Sequence, residues 1–197
     1  MRGTFGFDRD EVIHILVSMV VVAIAFSVRY LFESKVEFLL LFPVMLVGVG
    51  TGFVLHELAH KFVAMRYGAY ARYQIWETGL AFALLLAVAT RGLFVFAAPG
   101  AVYIYSPHIT RGQNGIISIA GPLTNLIVGV FFVGLGAMFP IPYLQLMSMG
   151  AASINFFLGF FNMLPLPPLD GSKVIAWNFA AWAVLTALLA IPTFFIF

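Results

Sequence analysis

The chain has 197 residues, of which 62% are hydrophobic and only 9% are charged, and its net charge is +2. Soluble globular domains carry about 25% charged residues, so this composition excludes an ordinary water-soluble protein. The small net charge gives no reason to expect nucleic acid as a partner. The chain has no cysteines, which excludes disulfides and thiolate metal ligands. We expect one membrane-embedded domain over residues 1–197, with the lipid bilayer around it.

Apolar runs recur along the whole chain, and several are long enough to cross a membrane. The predicted spans cover residues 12–32, 36–65, 115–139, 143–164 and 173 to the end. The second run exceeds the ~20 residues that a crossing needs, so we expect it to tilt or to protrude. The fold class is therefore an all-α polytopic membrane protein with about five to six transmembrane helices.

Residues 76–105 contain two apolar runs of about a dozen residues each, which is short for a crossing. They are separated by Arg91-Gly92, and a re-entrant segment fits them better than one crossing does. In residues 93–105, aromatic and β-branched residues flank Ala-Pro-Gly, a pattern that predicts a β-hairpin. Such a hairpin needs cover from protein or a water-filled cavity. A pair of crossings stays open as the alternative.

Basic residues are unevenly distributed between the predicted spans. If 76–105 enters and leaves on the same side, one face carries six of them: Arg2, Arg9, Arg66, Arg72, Arg111 and Lys173. Only Arg29 and Lys35 lie near the opposite face. By the positive-inside rule, the first face is cytoplasmic in a cell membrane, and so is the N-terminus.

The stretch "VLHELAHKF" places three ionisable side chains inside the second apolar run. His56 and His60 are four residues apart and share one helix face, so both imidazoles can bind one Zn²⁺. Glu57 lies next to them, where a carboxylate can act as base on a water at the metal. A chance occurrence of the motif is the alternative, but ionisable residues inside a span are costly and usually functional.

A catalytic zinc site usually has three protein ligands, so one more is needed. His14 and His108 are predicted to be interfacial side chains, and Glu77 is a weaker alternative ligand. Asp170 follows the proline-rich stretch in 161–173, where non-helical backbone must line a cavity or be buried in protein. An ordinary Asp-Gly turn is the competing interpretation. If 76–105 is re-entrant, Asp170 lies at the depth of the two histidines, and with a single crossing it does not.

These motifs resemble the site-2 protease family of intramembrane zinc metalloproteases, peptidase family M50. The resemblance rests on "HELAH" in one span, on "FNMLPLPPLDG" (161–171) after another, and on "SIAGPLTN" (118–125) between them. Their order and spacing agree with the family over about residues 36–175. The stretch 76–105 is longer and more apolar than the re-entrant loop expected in compact members.

The resemblance implies one zinc per chain, with His56, His60 and Asp170 as its ligands and Glu57 as the catalytic base. It also implies that Asn162 is a polar group facing the site, where it steadies substrate or an oxyanion. A helix-capping or packing role for Asn162 is the alternative.

The function expected from this resemblance is hydrolysis of a peptide bond within or beside the transmembrane segment of another membrane protein. The predicted hairpin is expected to pair with an unwound substrate by strand addition. A metal transporter or sensor without proteolytic activity is the alternative from another class, although Glu57 has no evident duty in a binding-only site. A membrane-tethered protease for soluble substrates would require a sizeable cytoplasmic domain.

Overall fold

The computed structural model describes residues 6–96, 99–106 and 108–195. Eight α-helices in this part of the chain are α1 (Arg9–Glu33), α2 (Lys35–Val49), α3 (Leu55–Arg66), α4 (Glu77–Ala89), α5 (Arg111–Met138), α6 (Pro142–Asn162), α7 (Asp170–Trp177) and α8 (Phe179–Phe195). Two strands, β1 (Tyr70–Ile75) and β2 (Gly100–Tyr105), form a small antiparallel sheet.

Within these ranges, four helical stretches have the length and hydropathy of a membrane crossing: Arg9–Glu33, Lys35–Arg66, Arg111–Met138 and Pro142–Asn162. They correspond to the first four predicted spans. The apolar helices α4 and α8 have 13 and 17 residues, which is shorter. The protein is therefore a helical membrane protein, and the count of five to six crossings stays a prediction.

The second long helix is continuous from α2 to α3 through a π-helical turn at Gly50–Val54. Thr51 donates a side-chain hydrogen bond to the carbonyl of Val47 (2.8 Å) within this turn. A π-helical turn widens the helix locally and rotates the residues that follow it, and such turns are frequent at functional sites. Here the turn ends at Val54, two residues before His56.

Helices α2 and α6 pack closely and run in the same direction. A Cβ on Gly48 would lie 2.5 Å from Ile154 Cδ1 and 3.2 Å from Ala151 Cα, so a larger residue would require Ile154 or the helix to move. Further along, Gly52 faces Leu158, and both helices continue toward the same end of the molecule. The end of α3 and the end of α6 therefore lie together, which brings the segment that follows α6 to the histidines.

The structure corrects the hairpin predicted within residues 93–105. The strand β2 pairs instead with β1, from Tyr70 opposite Tyr105 to Ile75 opposite Gly100. Residues 93–96 form no regular structure, and residues 97–98 lie outside the described part. The alternating sequence "YARYQI" provides the partner strand. Because α4 separates it from β2 in the sequence, the local hairpin pattern does not indicate this pairing.

Within segment 76–105, Trp76 and Pro99 are adjacent, so the chain leaves the sheet and returns to it at the same point, as a re-entrant segment requires. The backbone N–H of Trp76 donates to the carbonyl of Pro99 (2.9 Å). Between them α4 packs on α1, where Ala87 contacts Ala25 and Val28. The chain reverses after α4 at Arg91 and Gly92, which both have positive φ angles. The relation of this segment to the bilayer stays a prediction.

The last predicted span is also different from the observed structure. The predicted span from residue 173 onward is not one helix. It is interrupted between α7 and α8 at Asn178, whose backbone is extended (φ −150°, ψ 107°). The Asn178 side chain then accepts a hydrogen bond from Ala181 N–H and caps α8. The Trp182 indole N–H donates to the Met163 carbonyl (2.8 Å) and ties α8 to the end of α6.

Candidate metal centre and catalytic residues

His56 and His60 lie on one face of α3, as their spacing predicts. Both are buried, with 3% and 7% of their surface exposed. Their Nε2 atoms are 3.0 Å apart. This face of α3 points toward α5, which supplies Ile117 and Asn125, and toward Asp170 of α7.

Asp170 reaches the same point from a distant part of the chain. It is the first residue of α7, and the non-helical residues 163–169 lead to it from the end of α6. Its Oδ2 lies 3.2 Å from His56 Nε2 and 3.0 Å from His60 Nε2. Among the described residues, these three form the one group of side chains that could hold a metal. His14, His108 and Glu77 are not part of it.

Each histidine uses its second ring nitrogen to bond a fixed acceptor. His60 Nδ1 donates to the carbonyl of Ile117 (2.7 Å). His56 Nδ1 donates to Asn125 Oδ1 (2.6 Å), because the Asn125 amide nitrogen is itself bonded to the Gly52 carbonyl (2.7 Å). A carbonyl oxygen only accepts, so both Nδ1 atoms carry the proton.

Behind Asn125, a second buried amide continues the hydrogen-bond network. Asn125 Nδ2 also lies 3.3 Å from Asn155 Oδ1, and Asn155 Nδ2 donates to Thr51 Oγ1 (3.2 Å) and to the Ala151 carbonyl (2.8 Å). Both asparagines are fully buried. The sequence interpretation gave no role to either one, although a polar amide inside an apolar span is a signal of function.

The arrangement of donor atoms fits a divalent cation such as zinc. With both Nδ1 atoms acting as donors, the Nε2 atoms are the ring nitrogens left to present lone pairs to one another and to a carboxylate oxygen. Three lone-pair atoms about 3 Å apart repel unless a cation lies between them. Separations of 3.0–3.2 Å are also close to those of ligands about 2.0–2.1 Å from a tetrahedral metal.

Helix α5 leaves room for this centre at Gly121. A Cβ at this position would lie 2.5 Å from the Nε2 atoms of both His56 and His60. Any side chain here would therefore occupy the space in which the three donor atoms converge. Gly121 belongs to the stretch "SIAGPLTN", so the requirement for glycine has a direct structural reason.

Glu57 lies beside the three donor atoms, where its carboxylate can accept and donate a proton. It is buried, with 8% of its surface exposed. Its Oε2 has no hydrogen-bond partner in the described part of the chain, and the backbone N–H of Val102 in β2 approaches its carboxylate. A buried carboxylate oxygen without a partner is costly unless a water or substrate group completes it.

The three candidate ligands and Glu57 line one cavity of about 100 Å³. Its walls also include the β2 residues Val102 and Ile104, together with Asn162 and Lys173. Asn162 lines the cavity, and its amide nitrogen donates to the Leu158 carbonyl of its own helix (3.0 Å). Lys173 Nζ lies 3.6 Å from Asp170 Oδ1, the oxygen that points away from the histidines.

Several known proteins resemble the chain. A protein of Methanocaldococcus jannaschii named "Putative zinc metalloprotease MJ0611" is 41% identical over 182 residues, which are 92% of this chain and 91% of that protein. "Putative zinc metalloprotease YwhC" of Bacillus subtilis is 30% identical over 68% of each chain. "Putative zinc metalloprotease Rip2" of Mycolicibacterium smegmatis is 31% identical over 66% of this chain and 55% of its own. No protein-family profile and no solved structure matches the chain.

The similarity to two of these relatives extends over most of their length. MJ0611 and YwhC are each at least 30% identical to the chain over more than two thirds of their own sequences. Their names agree with a donor set of two imidazoles and a carboxylate, which suits zinc. The chain therefore belongs to the zinc metalloprotease family that these relatives represent.

Proposed function

We propose that this protein is an intramembrane metalloprotease of the site-2 protease type, which hydrolyses a peptide bond within or beside the transmembrane segment of a membrane-protein substrate. One observation carries the proposal: the "HELAH" residues lie in a helical stretch of 32 residues with the hydropathy of a membrane crossing. The two histidines of this motif lie 3.0–3.2 Å from the carboxylate of Asp170, which is distant in the sequence.

His56, His60 and Asp170 would hold the zinc. Zinc bound there supplies a Lewis acid that polarises the substrate carbonyl and makes a water more acidic. Glu57 takes a proton from the attacking water through its unpartnered Oε2 and later gives it to the leaving amine. The buried surroundings of Glu57 keep bulk water away from this proton.

The open edge of the sheet is the proposed substrate-binding surface. Ladder bonds use alternate residues of an antiparallel strand, and the bond from Trp76 to Pro99 sets that alternation. The N–H and C=O groups of Gly100, Val102 and Ile104 therefore point away from β1. All three residues line the cavity. A substrate unwound from its helix can replace its lost hydrogen bonds by pairing with this edge.

Two polar side chains at the cavity are proposed to contact the substrate. Asn162 keeps its carboxamide oxygen available after its nitrogen bonds Leu158, so it suits a substrate N–H better than an oxyanion. Lys173 brings a cation near Asp170, and this charge suits the oxygen of the tetrahedral transition state. The oxyanion role expected of Asn162 is thus assigned to Lys173 in this proposal.

The site is proposed to open toward the cytoplasm. The positively charged residues Arg66, Arg111 and Lys173 lie at the ends of α3, α5 and α7 that meet near the site. By the positive-inside rule this end faces the cytoplasm, which would also supply the water for hydrolysis.

The test uses the full-length protein in lipid vesicles with a set of synthetic single-span peptides. The helix of each peptide is destabilised at its centre by Asn-Gly or Pro. Wild type with zinc is expected to produce a new terminus inside or next to the apolar segment, detected by mass spectrometry. Glu57→Gln is expected to keep its zinc and to lose at least about 100-fold in rate. Wild type that binds zinc and cleaves no peptide would favour the transport or sensor alternative. Undiminished cleavage by Glu57→Gln would contradict the role of this residue.

A further inference from the structure

A buried ion pair on the far side of α3 takes no part in the chemistry described so far. Lys61 follows His60 directly, and its Nζ lies 2.6 and 2.7 Å from the two carboxylate oxygens of Glu11 in α1. The two side chains are 3% and 2% exposed. Lys61 Nζ also donates to the Gly6 carbonyl (2.8 Å) and lies 4.2 Å from the centre of the Phe7 ring.

Glu11 also binds the sheet. Its Oε1 accepts the backbone N–H of Tyr73, the middle of β1, at 2.9 Å. Tyr73 is opposite Val102, and by the alternation of the ladder both residues direct their N–H groups away from each other. Glu11 therefore covers the outer edge of β1, while the outer edge of β2 faces Glu57.

The side chain of Tyr73 strengthens this attachment. Its hydroxyl donates to Ser18 Oγ in α1 (2.8 Å), and its ring packs edge-on against Phe53, with centroids 5.5 Å apart. Burial raises the pKa of Tyr73, so the hydroxyl stays protonated and remains a donor. The sheet is thus fixed to α1, and α1 is fixed to the helix that carries His56 and His60.

Stability alone does not account for a pair of this kind. Removing two charges from water is expensive, and a buried ion pair is often no more stabilising than apolar residues of the same size. The best-attested benefit of such pairs is that they select one register among several packings. Here the ion pair fixes the position of the sheet relative to α3, and both elements line the cavity.

We propose that the Glu11–Lys61 pair positions the sheet relative to α3, and so selects which bond of a substrate strand on β2 lies at Glu57. The inference rests on the strand-addition function proposed above. A substrate paired with β2 moves together with it, and one residue of a strand is about 3.3 Å long. A displacement of the sheet by that distance would present the neighbouring peptide bond, and a smaller one would misplace the reacting atoms.

The informative variant is the double substitution Glu11→Gln with Lys61→Met, which removes both charges and leaves no unpaired buried ion. Glu11→Gln alone leaves Lys61 buried without its counter-ion and is expected to fold poorly. Asp8→Asn is the matched control, because it removes an exposed ion pair (3.1 Å) between Asp8, the N-cap residue of α1, and Arg72 of the same strand. Exposed pairs of this kind contribute little.

Each protein is assayed in lipid vesicles with a peptide that the wild type cleaves, and the products are mapped by mass spectrometry. The double variant is expected to bind one zinc and to cleave at the main bond at least about tenfold more slowly, since a misplacement of 1 Å costs up to 100-fold. New products at neighbouring bonds are expected as well. Asp8→Asn is expected to reproduce the wild-type products. General loss of folded protein would lower all products together and would not shift the bond.

Hydrogen exchange provides a second readout that does not depend on activity. In the double variant, amides of 70–75 and 100–105 are expected to exchange faster, while those of 55–62 stay protected. Wild-type rates at one unchanged bond, with unchanged exchange in the sheet, would overturn the inference and leave the proteolytic function standing. If the wild type cleaves no peptide, the proposed function fails, and the positioning role fails with it.

Discussion

Each of the two histidines at the candidate metal centre is oriented by a partner behind it. Ile117 supplies a backbone carbonyl to His60, which no substitution of its side chain removes. Asn125 supplies a side-chain oxygen to His56, and its other bonds to Gly52 and Asn155 keep that oxygen in place. The orientation of His56 thus depends on one replaceable side chain.

Asn125→Ala is therefore expected to weaken zinc binding by about 10- to 100-fold, which is the usual cost of losing such a partner. The dissociation constant is measured by competition with a chromophoric chelator. Asn114→Ala is the control, because Asn114 lines the same cavity, whereas the Nδ1 atoms of the two histidines bond Asn125 and Ile117. It is expected to keep the wild-type affinity. Equal affinity in Asn125→Ala and wild type would contradict the orienting role.

At the scale of residues, the sequence predicted the candidate site where polar groups are costly to bury. An ionisable motif inside an apolar run, and an Asp after three prolines, are both expensive unless they are used. The structure brings His56, His60 and Asp170 together, whereas their binding of zinc stays a prediction. The role of Asn125 was missed, because which amide faces which imidazole depends on how α3 and α5 pack.

At the scale of elements, the close approach of α5 to α3 creates the space for the metal. Gly121→Ala would place a Cβ against His56 and His60, so we expect zinc affinity to fall by more than about tenfold. Gly134→Ala lies on the same helix and meets nothing within 4 Å. It is expected to bind zinc normally and to stabilise the protein by about 0.5–1 kcal/mol. Chelator competition and thermal unfolding measure the two effects, and normal zinc binding by Gly121→Ala would contradict this account.

The elements differ in how well periodicity predicts them. Long apolar runs predicted the four longest helical stretches to within a few residues, because every span must satisfy its own backbone hydrogen bonds. Strand pairing was not predictable in the same way. The pattern in 100–105 indicates a strand, but its partner at 70–75 is separated by the whole of α4. Local sequence favoured a hairpin, and the tertiary contacts select the more distant partner.

At the scale of the whole molecule, the helix directions place the site near one end. The beginning of α1 contacts α3 through Glu11 and Lys61, and the beginning of α5 contacts α7, where Gly115 meets Trp177. The short connection between α5 and α6 at Ile141 lies at the opposite end. The order of the apolar spans, with 76–105 re-entrant, predicted this arrangement, and the orientation in the membrane, inferred from charge, stays a prediction.

Single-cysteine variants test the orientation, since the chain has no cysteine of its own. In intact cells, a membrane-impermeant maleimide is expected to label Ile141→Cys, which is 57% exposed. His108→Cys, in the exposed loop before α5, is expected to react only after the membrane is permeabilised. The reverse pattern would place the site on the outer side and contradict the proposed cytoplasmic opening.

The most direct test of the account is the zinc content per chain of purified wild type beside Asp170→Ala. The central claim is that α3 and the beginning of α7 build one metal site across 110 residues of sequence. We expect one zinc per wild-type chain, and a loss of affinity in Asp170→Ala beyond the ~100-fold caused by losing an outer hydrogen-bond partner. Full zinc retention by Asp170→Ala, or no zinc in wild type after metal is added back, would contradict the claim.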